Sequence, residues 1–510
     1  MKNKGQKRNE QQLTKLKTDA ADIHQLIETS RKSSDFRTQI LDLSHQKIYI
    51  SYFNTLIEEK KIQKGVFLPL QEKSSSLETE IKDIREISSW LPVEEVMYSE
   101  QIDVIQGKLL KGCILIQLDM NDQKCLIVLL SSKLGLRQNN NTENEFSVVG
   151  PKVGFIEDLD TNIHLLRVKI NIPNLVVKEI SVGSVSKSRV AIIYIEGITN
   201  SEIVDRFEQR LQGIDFEIVF DTSQMSQVIA DNSASPFPLF LSTERRDRVV
   251  YALSNGQAAF IIDGSPYFVT GPSTLFDFFI SPEDYYLPWM LGSFFRLIRI
   301  FGVIFSLFSG AMYVAIITFQ YEVVPHNLLG PLIFSRLSVP FPPILEVLFL
   351  EMTIEFLREA GARLPAKIGQ TLGIVGGIIL GQAAVEAALT SNILIIIVSL
   401  SALASFTTPI YKMANLIRFL RFPFIILASI WGGLGIFIGV CFLLVHLIRL
   451  ESLGYPYLVP IYPLRVKDFR DSFIRTSYRY LNNRPRFLRP YSMLRNVVKT
   501  DKHQKDWDEE

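Results

Sequence analysis

Cysteine and histidine are scarce in this 510-residue chain, which has three of the first and six of the second. Cys113 and Cys125 stand apart from Cys441, which lies inside an apolar run, and no pair has zinc-ligand spacing. Neither a disulfide framework nor a metal site is expected; the thiols should be reduced and buried. The histidines are scattered, so His164 and His326 read as ordinary surface or packing residues. The chain has no GxxxxGKS/T, no GxSxG and no HExxH, so nucleotide, acyl-transfer and metal-hydrolase chemistry lack their usual residues. No enzymatic activity, no cofactor and no nucleic-acid partner are expected. The first residues, MKNKGQKRNEQQLTKLK, are basic but carry no apolar core of a signal peptide, which places what precedes the first apolar span in the cytoplasm.

Long uncharged runs, by contrast, are present. Ile300 to Phe319 has twenty residues without a charge, enough for a helix to cross a hydrocarbon core of about 30 Å. Phe422 to Val445 is equally uncharged and predicts a second span. Between them, Ile368 to Leu389 and Ile393 to Thr408 are apolar but rich in glycine and hydroxyl groups, the composition of helices that face other helices. The fold class is therefore α/β cytoplasmic domains followed by an α-helical polytopic membrane domain of about four to five helices and a basic C-terminal tail.

Along the chain, residues 1–43 are polar and basic, too poor in apolar groups to offset chain entropy, and predict a disordered leader. A first α/β unit follows over 44–145. In it KIYISYF (Lys47 to Phe53) is a strand, Asn54 can cap a helix to Gln63, and Cys113 to Leu118 with Cys125 to Leu130 form a buried hairpin. A second unit covers 146–290. Val190 to Tyr194 is a strand, Asn200 caps a helix that buries Ile203, Val204, Phe207 and Leu211 and stops at Gly213, and Phe216 to Phe220 is the next strand. Arg245 to Asn255 is a helix ended by Gly256, and Ala258 to Asp263 pairs with Pro266 to Val269 across Gly264 and Ser265. The membrane domain takes 291–450 and the tail 451–510.

Within the membrane domain, Gly369, Gly373, Gly377 and Gly381 recur every fourth residue, so on a helix they fall within an arc of about 120°. Such a bare face admits a second backbone, either within one subunit or between subunits. Thr371, Gln382 and Glu386 fall on the opposite, polar face. An ionisable group inside a span is costly and usually faces a polar cavity or a partner, which puts Glu386 at a conduction path or its mouth, or else in the headgroup region near the helix end. Ahead of this segment, Pro340, Pro342 and Pro343 break the chain, and Ile344 to Ala360 carries Glu351, Glu355 and Arg358 on one face. That helix is amphipathic, re-entrant or subunit-lining, or simply interfacial with solvated charges. For topology, Arg296 and Arg299 place the start of the first span inside, and Lys412, Arg418 and Arg421 read as inside-loop charges. The side of the tail stays open in a five-span count, although ten cations between Arg465 and Lys499 against Asp468 and Asp471 favour the cytoplasm.

Several longer strings resemble one family. They are GPKVGF at Gly150 to Phe155 with Asn162 and Arg167 after it, SPFP at Ser235 to Pro238 followed by TER at Thr243 to Arg245, DGSPYF at Asp263 to Phe268, and SPEDYY at Ser281 to Tyr286. They continue with VPFPP at Val339 to Pro343, EFLREAGARLP at Glu355 to Pro365, IGQTLGIVGGIILGQAAVEA at Ile368 to Ala387, ASFTTP at Ala404 to Pro409 and RFLRFP at Arg418 to Pro423. In order and over about residues 145 to 460, they are similar to the A subunits of the GerA family of spore nutrient receptors. Val149 stands where that family commonly has an arginine, and Arg246 where a proline is usual.

The resemblance implies a multi-pass protein of the spore inner membrane, with its N-terminal domain on the cytoplasmic, spore-core side. It implies a transporter-like B subunit, a lipoprotein C subunit, further A subunits and membrane lipid as partners. The implied function is a nutrient-gated ion channel that releases cations to start germination. The alternative is a non-conducting scaffold that couples the B and C subunits to later steps.

Overall fold

The computed structural model describes residues 20–43, 46–74, 81, 83–93, 95–120, 122–130, 142, 145, 149–363, 377, 381–469 and 471–495. Residues 20–43 do not belong to a disordered leader. Asp22 accepts a hydrogen bond from the Gln25 amide at 2.8 Å and starts helix α1 (Ile23–Arg31), which buries Ile23, Leu26 and Ile27 at helical spacing. Strand β1 (Phe36–Leu43) then pairs antiparallel with β2 (Gln46–Phe53). Average polarity concealed this element, because a single apolar stripe is enough to fix one helix to a sheet.

The first sheet continues with β3 (Val96–Ser99), β4 (Cys113–Gln117) and β5 (Cys125–Leu129), and α2 (Ile102–Leu109) lies between β3 and β4 in sequence. Its order is β1-β2-β4-β5-β3. The hairpin of β4 and β5 is the one expected, and both of its cysteines are buried. Asn54 caps no helix; it opens a single 3-10 turn, Asn54–Leu56, and the following helix begins at Glu59.

The second unit repeats that plan. Helix α3 (Leu159–Lys169) precedes β6 (Leu175–Val182) and β7 (Ser188–Ile195); α4 (Ser201–Gln212), β8 (Leu241–Thr243), α5 (Arg246–Asn255), β9 (Ala258–Ile262) and β10 (Phe268–Gly271) follow. The order is β6-β7-β9-β10-β8, so both sheets run first, second, fourth, fifth, third. Asn200 accepts from the Glu202 amide, Gly213 follows the last turn of α4, and Gly256 closes α5 at φ +98°, a conformation that favours glycine. Phe216 to Phe220 is not a strand. Its backbone meets the turn at Ser184 to Ser186 and the Gln224 side chain rather than a strand, and Phe216, Ile218 and Phe220 are exposed. Alternation alone does not make a strand where no sheet edge is available to pair with.

After a short helical turn at Glu283–Tyr286, the described helices include α6 (Trp289–Thr318), α7 (His326–Arg336), α8 (Pro343–Arg363), α9 (Asn392–Ser405), α10 (Tyr411–Trp431) and α11 (Gly433–Arg449). Among the described residues, α6 and α10 are long and apolar enough to cross a membrane; α9 and α11 are shorter apolar helices. The run from Phe422 to Val445 is therefore not one span. It folds into a helical hairpin at Gly432, whose φ of 60° and ψ of −138° suit a residue without Cβ. The two arms touch through glycine: a Cβ on Gly435 would lie 2.0 Å from the Leu427 carbonyl oxygen, and one on Gly439 2.7 Å from the Phe424 ring. Gly435→Val is expected to force the arms apart at an overpacking cost of about 1–3 kcal/mol or more. The check is unfolding temperature in detergent, which should fall for Gly435→Val and stay near wild type for Gly433→Ala, whose added carbon remains 3.4 Å from Gln320.

After α11 the chain returns to the second unit. Ser452 Oγ donates to the Leu239 carbonyl at 2.6 Å, Tyr457 OH to Pro238 at 3.0 Å and Arg484 Nε to Ser254 at 2.7 Å. The tail thus packs on the second α/β unit.

Candidate membrane-core site

Helix α8 places two of its glutamates, Glu346 and Glu351, inside the bundle. Glu351 is 1% exposed, and its Oε2 sits 3.0 Å from Nη1 of Arg421 on α10, itself 2% exposed. Arg421 also donates to Ser306 Oγ on α6 and, at 3.2 Å, to the Ser401 carbonyl on α9. Ser401 Oγ in turn donates to the Ser306 carbonyl at 3.2 Å. One ion pair and two serines therefore tie four helices together. Two charges in such surroundings are tolerable only because they are paired and hydrogen-bonded.

Toward the second unit, Glu355 lies 3.3 Å from Arg358 and 3.7 Å from Arg418, and Arg358 donates to Ser405 Oγ at 3.3 Å while stacking 4.7 Å from the Phe406 ring centre. Toward the other end, Glu346 is buried and paired with Arg336 at 2.8 Å, and Tyr313 bonds Ser391 at 3.2 Å. On the predicted face, Glu351 is buried in the bundle, while Glu355 and Arg358 are half-buried and pair with each other, Glu355 also with Arg418. Arg418 and Arg421 are not loop charges: both sit in α10 as its partners. Their three-residue spacing, matching the four-residue spacing of Glu351 and Glu355, was the signal that could have found them.

The glycine-rich segment is described in part. Gly369, Thr371 and Gly373 lie outside the described residues. Among the described residues, no atom beyond their own helix lies within 4 Å of the position a Cβ would take on Gly377 or Gly381. Gln382 and Glu386 are exposed, beside a buried Ala384.

Two further charge clusters outside this bundle were missed in the sequence. Asp284 of the SPEDYY string, 1% exposed, receives Arg296 Nε and Arg299 Nη2, each at 3.1 Å. Arg296 also reaches Asp471 of the tail at 3.2 Å, and the same carboxylate receives the hydroxyls of Tyr251 and Tyr285. Burial, reinforced by Asp471, pushes the Tyr251 hydroxyl up to about 12. This junction joins the second unit, the foot of α6 and the tail. Between the two α/β units, Arg167 donates to Asp35 Oδ1 at 2.6 Å and to Ser33 at 2.7 Å, and stacks 4.1 Å from the Phe53 ring centre. Among the described residues no group of three or more histidine, cysteine, aspartate or glutamate side chains could hold a metal ion.

Comparison with known proteins bears on all of these residues. Residues 23–487 match the family model described as Bacillus/Clostridium GerA spore germination protein. Spore germination protein GerQA of Bacillus cereus is 48% identical over 473 residues, covering 93% of each chain. GerIA of the same species is 42% identical over 96% of this chain and 72% of the relative, and spore germination protein A1 of Bacillus subtilis (strain 168) is 36% identical over 86% and 89%. Among solved structures, the N-terminal domain of the A subunit of the Bacillus megaterium spore germinant receptor GerK3 is 24% identical, with a TM-score of 0.38, covering 49% of this chain and 92% of that one.

Proposed function

The chain belongs to the GerA family of spore germination proteins, and we propose that it is the A subunit of a nutrient-responsive germination receptor whose copies assemble around an ion-conducting path. The observation that carries this reading is the family match across the membrane bundle, which includes the glycine-rich string. A transporter-like B subunit would sense the nutrient, a lipoprotein C subunit would complete the complex, and the site of action would be the spore inner membrane with the α/β units on the core side.

The chain would cross that membrane an even number of times, since the tail after α11 packs on the same α/β unit from which α6 leaves. Gly377 and Gly381, with no other described atom beyond their own helix within 4 Å of a Cβ position, leave room for close contact between copies, with Gln382 and Glu386 beside that contact. The junction of Asp284, Arg296 and Asp471 supports the second reading, a scaffold that relays a signal from the α/β units into α6.

Potassium release from spores carrying this subunit with its B and C partners separates the two. Glu386→Gln is expected to change the rate or the conducted ion after nutrient addition while complex levels stay constant. Unaltered release would remove Glu386 from the path and raise the scaffold reading.

A further inference from the structure

The core of the bundle holds more polar groups than its own hydrogen bonds satisfy. Six buried side-chain atoms there have no partner among the described residues: Glu346 Oε2, Glu351 Oε1, Arg421 Nε, and the hydroxyls of Ser309, Thr390 and Thr408. Their residues are at most 9% exposed. They are not scattered. Thr408 lies just beyond the end of α9 nearest the second unit, Glu351 and Arg421 at mid-height, Ser309 above them on the same face of α6 as Ser306 and Tyr313, and Glu346 and Thr390 at the far end.

The groups that do have partners fill the same column. Arg358, Glu355, Arg418 and Ser405 stand at the foot, Ser306 and Ser401 in the middle, Tyr313, Ser391 and Arg336 at the top. From Ser405 to Ser391 the helical rise gives a length of about 21 Å. Buried polar atoms are almost always bonded, and where protein does not reach them internal water does. Ionisable groups within a membrane bundle usually mark a route for ions or protons.

We propose that this column is a hydrated proton path through each protomer, from Glu355 and Arg418 at the foot, past the Glu351–Arg421 pair as its narrowest point, to Glu346 and Ser391 at the far end. Each transfer moves one proton between water and a glutamate: the carboxylate becomes the acid and is restored when the proton passes on, so nothing is consumed. The path rests on the reading that the bundle spans a membrane, and is separate from any pore between copies.

The test uses the full chain in lipid vesicles. A potassium gradient with valinomycin sets the voltage, and a trapped pH dye reads proton uptake. Uptake above that of protein-free vesicles is expected, with a loss of at least tenfold in the double variant Glu351→Gln and Arg421→Gln, which removes both charges together. Ser309→Ala with Thr390→Val, which leaves every charge in place, is expected to slow uptake several-fold and decides the matter if the charge variant is not recovered in vesicles. Uptake no faster than in protein-free vesicles, or equally fast in the variants, would overturn the path. Potassium release from the same vesicles without valinomycin reports on the pore between copies alone, so the two ideas fail separately.

Discussion

Arg421→Ala is expected to cost about 3–5 kcal/mol of folding stability, because it strands the Glu351 carboxylate among four helices. The loss should appear as a lower unfolding temperature in detergent and poor recovery from membranes. The double variant Glu351→Leu with Arg421→Met should recover most of it, since apolar groups of similar volume need no counter-charge. If Arg421→Ala unfolds at the wild-type temperature, or the double variant is no better than the single one, the pair does not hold the bundle together. A recovered but non-responsive double variant would show that the charges are kept for activity rather than for stability.

Arg167→Ala at the contact between the two α/β units is expected to cost a similar amount, because Asp35 is almost fully buried and Arg167 is its counter-charge. Ser33 and Thr55 donate to the same carboxylate at 2.6 and 2.8 Å, so the whole group loses its centre. Arg167→Lys should recover only part, since a lysine supplies neither the forked donors nor the flat face over Phe53. The pH dependence follows from Asp35. Burial opposes its charged form, but Arg167 and the hydroxyl donors outweigh that and hold the carboxyl below the usual aspartate value of about 3.9. A lowered folded value stabilises the protein above the unfolded value, and the contribution disappears as pH falls through the folded one. Wild type should therefore lose stability more steeply than Arg167→Ala below about pH 4. Parallel pH curves for the two proteins would exclude this origin.

What the sequence disclosed depended on how local the cause was. Helix α4 was legible because Asn200, the apolar stripe of Ile203, Phe207 and Leu211, and Gly213 all lie within fourteen residues. The hairpin of β4 and β5 was legible because both strands are buried on both faces. Phe422 to Val445 misled because hydropathy measures length and not direction; the fold-back is written in Gly432, Gly435 and Gly439, which bring two arms together. The ion pair between Glu351 and Arg421 joins residues 70 positions apart, and a charge rule for loops cannot tell a solvated arginine from a paired one. The partners of the basic tail were hidden for the same reason. Arg475 instead donates to the Leu287 and Tyr285 carbonyls and Arg484 to Ser254 and Ser492, so these cations act as backbone fasteners.

The position of those fasteners in the chain sets a condition on biosynthesis. The second sheet is complete in sequence at Gly271, yet Arg296 and Tyr285 meet Asp471 only after α6 through α11 have been made. If the bundle spans a membrane as proposed, a chain that loses one arm of the α10–α11 hairpin delivers residues 471–495 to the opposite face and leaves the junction unclasped. The α/β body is thus finished last, by a segment made after the whole helical bundle.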